Sequence, residues 1–204
     1  MELNPLLSIW TQPKETVRQL INHNKLGLSI ILACIAGIGA VLVALQDSGW
    51  FQDMSTAGLA VGIIIMAMVS GLINVGVSTL LYTVIGKLYG GHGKMREMAI
   101  AVGPMMIPQI FILPVYMIYV WIYGRQFFAA PADFNLTSIP LGAYLILLLF
   151  TLTASMWTIV ISSKAIGVVH GFSSWRGFGV VMTLVGIFIL LGMLIAIGFI
   201  LFLI

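Results

Sequence analysis

The stretch KLYGGHGKMREMAIAVGPMMIP, residues 87–108, joins the end of one long apolar run to the start of the next. Its first half is a short basic loop with the cations Lys87, Lys94 and Arg96. His92 lies in the same loop among three glycines. The second half is apolar but contains Pro104 and Pro108, and proline removes a backbone donor from a helix. This pattern predicts a cytoplasmic hairpin between two membrane spans, followed by a helix that is irregular near its start.

The composition places the chain in lipid. Of its 204 residues, 61% are hydrophobic and only 7% are charged, whereas a soluble domain has about 25% charged residues. So few polar residues cannot cover a water-exposed surface. The single cysteine, Cys34, excludes an intrachain disulfide and a cysteine metal cluster.

Apolar runs recur along the whole chain after its first 25 residues. Each is long enough to cross a hydrocarbon core of about 30 Å, which needs about 20 helical residues. There are five, at about residues 26–45, 57–84, 98–123, 139–161 and 178–204. The sequence therefore predicts an all-α integral membrane protein, with a bundle of five transmembrane helices forming one domain over residues 26–204.

Residues 1–25 are predicted to form a cytoplasmic amphipathic segment rather than a span. Thr11 is the expected N-cap of its helix, with Pro13 in the first turn. One face of this helix is apolar and carries Val17, Leu20 and Ile21. Two alternatives remain open: the helix lies on the membrane surface with Trp10 as an anchor, or it packs on the protein's own loops.

The distribution of basic residues predicts the orientation. Eight of the nine lysines and arginines lie in the N-terminal segment and in the loops after the second and fourth runs, and only Arg125 lies on the other side. The positive-inside rule then places the N-terminus inside and the C-terminus outside. The residues predicted to form cytoplasmic interaction loops are Lys87, His92, Lys94, Arg96, His170 and Arg176. His92-Gly93 and His170-Gly171 repeat one dipeptide in both loops, by distant duplication or by chance.

The predicted spans contain no charged residue, which argues against an ion-coupled carrier. Asn74 and Gln109 are the strongest polar groups near the middle of a run, so both should point into the bundle. With Pro104 and Pro108 they form the predicted intramembrane polar site. It either bonds helices together or lines a polar cavity. We expect the second and third spans to meet at these amides, with a bend between Gly103 and Pro108.

Catalytic and metal-binding motifs do not fit the sequence. GGHGK is not a phosphate-binding loop, because Met95 follows Lys94 where serine or threonine is required. There is no paired catalytic carboxylate and no nucleophile motif. The three histidines have no spacing that demands a metal. We therefore expect no enzymatic activity, no cofactor and no metal site.

Three segments resemble the Yip family of small membrane proteins, the Ypt/Rab-interacting proteins. They are NPLLSIWTQPKETVRQLI at 4–21, YGGHGKMRE at 89–97 leading to Pro104, and VVHGFSSWRG at 168–177. The resemblance implies a five-span bundle with a cytosolic N-terminus. Eukaryotic members contact Rab GTPases in the early secretory pathway. This chain lacks their long N-terminal region and so resembles a short prokaryotic form, for which a Rab partner is implausible.

The expected function is that of an adaptor or scaffold that binds other membrane proteins or shapes the membrane. The alternative is permeation of a small solute through a polar cavity near spans two and three. The expected partners are the lipid bilayer, other membrane proteins or a second copy of the chain, and not nucleic acid. The expected location is a prokaryotic plasma membrane.

Overall fold

A computed structural model describes residues 4–51 and 54–203, and these are helical, with connecting turns and no strand. The helices are α1 Pro5–Thr11, α2 Pro13–Asn22, α3 Leu26–Leu45, α4 Thr56–Leu88, α5 Met95–Met105, α6 Ile107–Phe111, α7 Leu113–Tyr123, α8 Leu141–His170 and α9 Ser174–Leu203. A 3-10 turn, Gly124–Phe128, follows α7.

Four of these helices, α3, α4, α8 and α9, are long and apolar enough to cross a membrane. A fifth crossing exists if α5, α6 and α7 together count as one bent span. The prediction of an all-α bundle of apolar helices is confirmed, and the first run coincides with α3. The count of five and the orientation of the termini stay predictions.

The third run is broken twice. Met106 separates α5 from α6, and Ile112 separates α6 from α7. Pro108 and Pro114 each fall at the first or second position of the helix that follows a break, where a missing N–H costs nothing. The break at Met106 lies inside the expected interval, but the 42° bend lies later, between Met95–Phe111 and Leu113–Phe128.

The N-terminal segment forms two short helices instead of one. Thr11 ends α1 and is not the N-cap of α2, which is Gln12. The predicted cap was wrong because Asn4 starts a helix earlier, with its side chain accepting a bond from the Leu6 backbone N–H at 3.1 Å.

Both short helices pack on the bundle. Ile9 and Val17 are fully buried, and α2 lies against α5 and α8. The Trp10 ring is 5.1 Å from Phe111 and 6.4 Å from Trp157, measured between ring centroids. The segment therefore packs on helices of the bundle and not on its loops, and its placement at the membrane surface stays a prediction.

Helices α3 and α4 cross at van der Waals distance through glycines. A Cβ added to Gly37 would lie 2.3 Å from the Ala67 carbonyl oxygen, and one added to Gly71 would lie 2.6 Å from the Cys34 Cα. Small residues let two backbones approach this closely. Helix α3 also contacts α5, α6 and α7, so it is the central helix of the bundle.

A carboxylate ties together the end of the bundle where α3 leads into α4. Asp47 accepts hydrogen bonds from the Thr137 hydroxyl at 3.0 Å and from the Ser138 backbone N–H at 2.7 Å. The Asp47 N–H also donates to the carbonyl of Phe127 at 3.2 Å. These bonds join the loop after α3 to the segments that follow α7 and precede α8.

Candidate functional site

Gln109 bonds α8, and not α4 as its position near the middle of the third span suggested. Its Nε2 lies 3.4 Å from both the Ser155 and the Thr158 hydroxyl oxygens on α8. It does not bond Asn74, which is exposed and has no hydrogen-bond partner among residues 4–51 and 54–203. The expected contact between the two amides was wrong because the break at Met106 changes the direction of the side chains that follow it.

The two amides nevertheless line the same cavity, of about 810 Å³. Its walls come from α3, α4, α8 and α9, with Met106, Gln109 and Tyr116 from the broken third run. Most of the lining is apolar. The polar side chains in it are Ser70, Asn74, Ser78, Tyr82, Gln109, Tyr116, Thr151 and Ser155.

Pro104 and Pro108 do not line this cavity. Both are buried, Pro104 within α5 and Pro108 at the start of α6. Next to Pro104, Gly103 allows α3 to approach closely. The Ser29 hydroxyl accepts the Gly103 N–H at 2.8 Å and donates to the Ala99 carbonyl at 2.6 Å. It therefore lies between two groups that are one helical turn apart on α5.

The second predicted group of residues lies at one end of the bundle, which we call the basic end. It comprises the loop from α4 to α5, the loop from α8 to α9, and the helix ends beside them. The predicted members are Lys87, His92, Lys94, Arg96, His170 and Arg176. Five of these side chains are exposed, and His170 is buried.

His170 joins the two loops. Its Nδ1 accepts the Gly93 backbone N–H, its Nε2 meets the Tyr82 carbonyl, and both distances are 3.2 Å. Its own carbonyl accepts the His92 N–H at 3.2 Å. Bonding of this kind fits a neutral imidazole with its proton on Nε2.

Glycines shape the space around this ring. A Cβ on Gly86 would lie 2.3 Å from the His170 Nε2, and one on Gly91 would lie 2.4 Å from its Nδ1. Phe172 stacks on the imidazole at 5.3 Å between centroids. We call this arrangement of His170 with Gly86, Gly91 and Gly93 the histidine lock. It fixes the loop after α4 against the loop after α8.

The exposed cations are arranged around the lock. Arg96 donates to the Asn24 side chain at 3.1 Å and so links α5 to the end of α2. Lys94 lies 3.7 Å from Glu97. Arg176 lies in the first turn of α9, and Lys87 in the last turn of α4. The structure thus brings both predicted loops together on one surface.

No sequence pattern distinguishes Gly86 and Gly91 from the other glycines among the 22 in the chain. The repeated His-Gly dipeptide was a usable signal, since the loops that carry it touch. Tyr89 was also missed as a contact residue. Its hydroxyl lies 2.8 Å from the Thr183 hydroxyl and so attaches the loop after α4 to α9.

Comparison with known proteins identifies the family. The profile of the Yip1 domain matches residues 7–197, which is most of the chain. No curated protein and no solved structure matches significantly. The matched range contains α3 to α8, both loops of the histidine lock and most of α9. The chain therefore belongs to the Yip1-domain family of membrane proteins.

Proposed function

We propose that this protein is a non-enzymatic adaptor or scaffold, and that its basic end faces the cytoplasm and binds acidic segments of other membrane proteins. The observation that carries this proposal is the histidine lock, because it holds two loops in one fixed relation. Lys87, Lys94 and Arg176, on those loops and the helix ends beside them, then present positive charge in a preset pattern. A preset surface loses less conformational entropy on binding than flexible loops would.

The proposal includes a topology. The N-terminus is inside, five spans cross a prokaryotic plasma membrane, and the C-terminus is outside. Residues 1–25 are the cytoplasmic segment, and residues 26–204 are the transmembrane domain. Support comes from the charge distribution, since eight of nine lysines and arginines fall on the side assigned to the cytoplasm.

Photocrosslinking in native membranes tests the adaptor. A photoreactive amino acid at Lys87, Lys94 or Arg176 is expected to give a reproducible set of adducts with membrane proteins, identified by mass spectrometry. The yield of these adducts should fall at high salt, because exposed charges are screened within about 10 Å at 0.1 M ionic strength. Placing the same amino acid at Trp121, exposed at the opposite end of the third run, is the matched control.

Charge reversal provides the second arm. In a protein that also carries Lys87→Glu and Arg176→Glu, the photoreactive amino acid at position 94 should no longer form these adducts. The protein should stay folded, because all three side chains are exposed. Adducts with a second copy of this chain alone would identify self-association as the function of this surface. Adducts with lipid only, or an unchanged pattern after charge reversal, would contradict the adaptor.

The cavity favours a second candidate, permeation of a small uncharged solute, because its wall includes both Asn74 and Gln109. This function predicts that purified protein in liposomes raises the flux of at least one solute in a panel of polyols, urea and ammonia. Filling the cavity with Ala40→Phe should abolish that flux. Rates equal to those of empty liposomes across the panel would remove this candidate and leave the adaptor untouched.

A further inference from the structure

One face of α4 carries polar side chains into the cavity. Ser70, Asn74 and Ser78 are four residues apart, which places them above one another on a helix, and all three line the cavity. Across from them, Gln109 bonds α8 through its Nε2. The cavity therefore has hydrogen-bonding groups on two walls.

Asn74 is the group that points to a ligand. Its side chain has no hydrogen-bond partner among the described residues, although an amide in an apolar medium is costly unless it is bonded. Its amide offers two donors and an acceptor. An occupant that both donates and accepts hydrogen bonds would satisfy it.

The cavity opens sideways rather than along the bundle. At the rims of the cavity lie residues that line it and are also exposed on the outside of the bundle. Ile73 on α4 has 58% of its surface exposed, and Phe188 on α9 has 60%. Along α4 the lining runs only from Ser70 to Tyr82, which is about 18 Å at 1.5 Å per residue. The lining set includes neither loop of the basic end, so the cavity opens toward the lipid at mid-depth.

Within residues 4–51 and 54–203, the lining contains no Asp, Glu, Lys, Arg or His. A charged headgroup would be poorly accommodated here, since charges at mid-membrane are costly without a partner. A neutral molecule with one hydroxyl would fit better, because its hydroxyl can both donate and accept. Long apolar chains would cover the remaining walls, which are apolar as in most ligand pockets.

We propose that this cavity is a binding site for a neutral lipid with a free hydroxyl, of the diacylglycerol class. The hydroxyl bonds the Asn74 amide, and the acyl chains lie between α4 and α9 and extend into the bilayer. The site is separate from the adaptor surface at the basic end, and neither depends on the other being correct.

The test uses full-length protein in phosphatidylcholine vesicles with a small mole fraction of a diacylglycerol that carries a photoactivatable acyl chain. Mass spectrometry should map the label to the rims, at residues 73–77 and 185–188. Unlabelled diacylglycerol should compete, and added phosphatidylcholine should not. Asn74→Leu should reduce labelling by about threefold to tenfold, the range expected for one hydrogen bond in a membrane.

Two further variants complete the design. Ala40→Phe fills the cavity from an exposed position on α3 and should abolish rim labelling. Thr153→Leu, on an exposed face of α8 outside the cavity, is the control and should leave labelling unchanged. Size-exclusion profiles must match across variants.

Label spread evenly over lipid-facing helices would overturn the proposal. Equal competition by phosphatidylcholine, or an equal effect of Asn74→Leu and Thr153→Leu, would also overturn it.

Discussion

Replacing Gly86 by alanine is expected to destabilise the protein by about 3 kcal/mol, the upper part of the range for overpacking a filled site. The added Cβ would lie 2.3 Å from the His170 Nε2. The ring has no room to move away, because it is 1% exposed and is hydrogen-bonded through both nitrogens. The two loops of the histidine lock must therefore separate.

Thermal unfolding in detergent, followed by circular dichroism, measures this effect. Gly76→Ala is the matched control, because it lies on the same helix with nothing within 4 Å of the added Cβ. That change should be neutral or stabilising by up to about 1 kcal/mol, the difference in helix propensity. Equal melting of the two variants would refute the lock.

A double variant separates the clash from the loss of glycine. His170→Ala alone should be destabilising, since it leaves the buried Gly93 N–H without its acceptor, at about 1–3 kcal/mol for an unsatisfied buried group. Adding Gly86→Ala to His170→Ala should cost nothing further, because the ring that blocks the new methyl group is gone. Additive costs would mean that Gly86 matters for another reason.

Replacing Gly103 by alanine is expected to have a still larger effect, above about 4 kcal/mol, which is exceptional for a single substitution. The new Cβ would lie 2.2 Å from the Ser29 carbonyl oxygen and 2.4 Å from its Cα. These are backbone atoms of α3, so the whole helix has to shift. The shift also breaks the Ser29 hydroxyl bonds to Ala99 and Gly103.

Fluorescence-detected size exclusion of tagged protein measures this second effect. Gly103→Ala should lose the monodisperse peak or melt far below the parent. Gly27→Ala on α3, with open space around the added Cβ, should keep it. Ser29→Ala removes only the hydroxyl and should cost about 1 kcal/mol. A monodisperse Gly103→Ala with unchanged melting would show that the crossing of α3 and α5 is looser than described.

The apolar helices could be predicted from the sequence because lipid imposes a simple rule on each span separately. A run of about 20 apolar residues suffices, and α3, Leu26–Leu45, begins and ends where its run does. The third span was harder, because several prolines occur in one run and the sequence does not rank them. The 42° bend lies at Ile112, between Phe111 and Leu113, and not between Gly103 and Pro108.

The candidate sites were less predictable because they depend on the rotation of helices about their axes. Equal depth suggested that Gln109 would meet Asn74, but helical periodicity cannot be carried across a break such as the one at Met106. His170 was predicted to lie in a cytoplasmic interaction loop and is instead the last residue of α8, buried against glycines from the end of α4 and the loop after it. Contacts between residues so far apart in sequence leave no local pattern.

The bundle is tied at both ends and open in the middle. At one end the histidine lock joins α4 to α8, and at the other Asp47 joins the end of α3 to Thr137 and Ser138 before α8. Neither tie includes α9, whose residues 187–202 are exposed, so the gap beside Asn74 can widen when this part of α9 moves away from α4. Collective motions of this kind occur on microsecond to millisecond timescales. The width of the cavity should therefore follow the lateral pressure of the surrounding bilayer, while the arrangement of charges at the basic end stays constant.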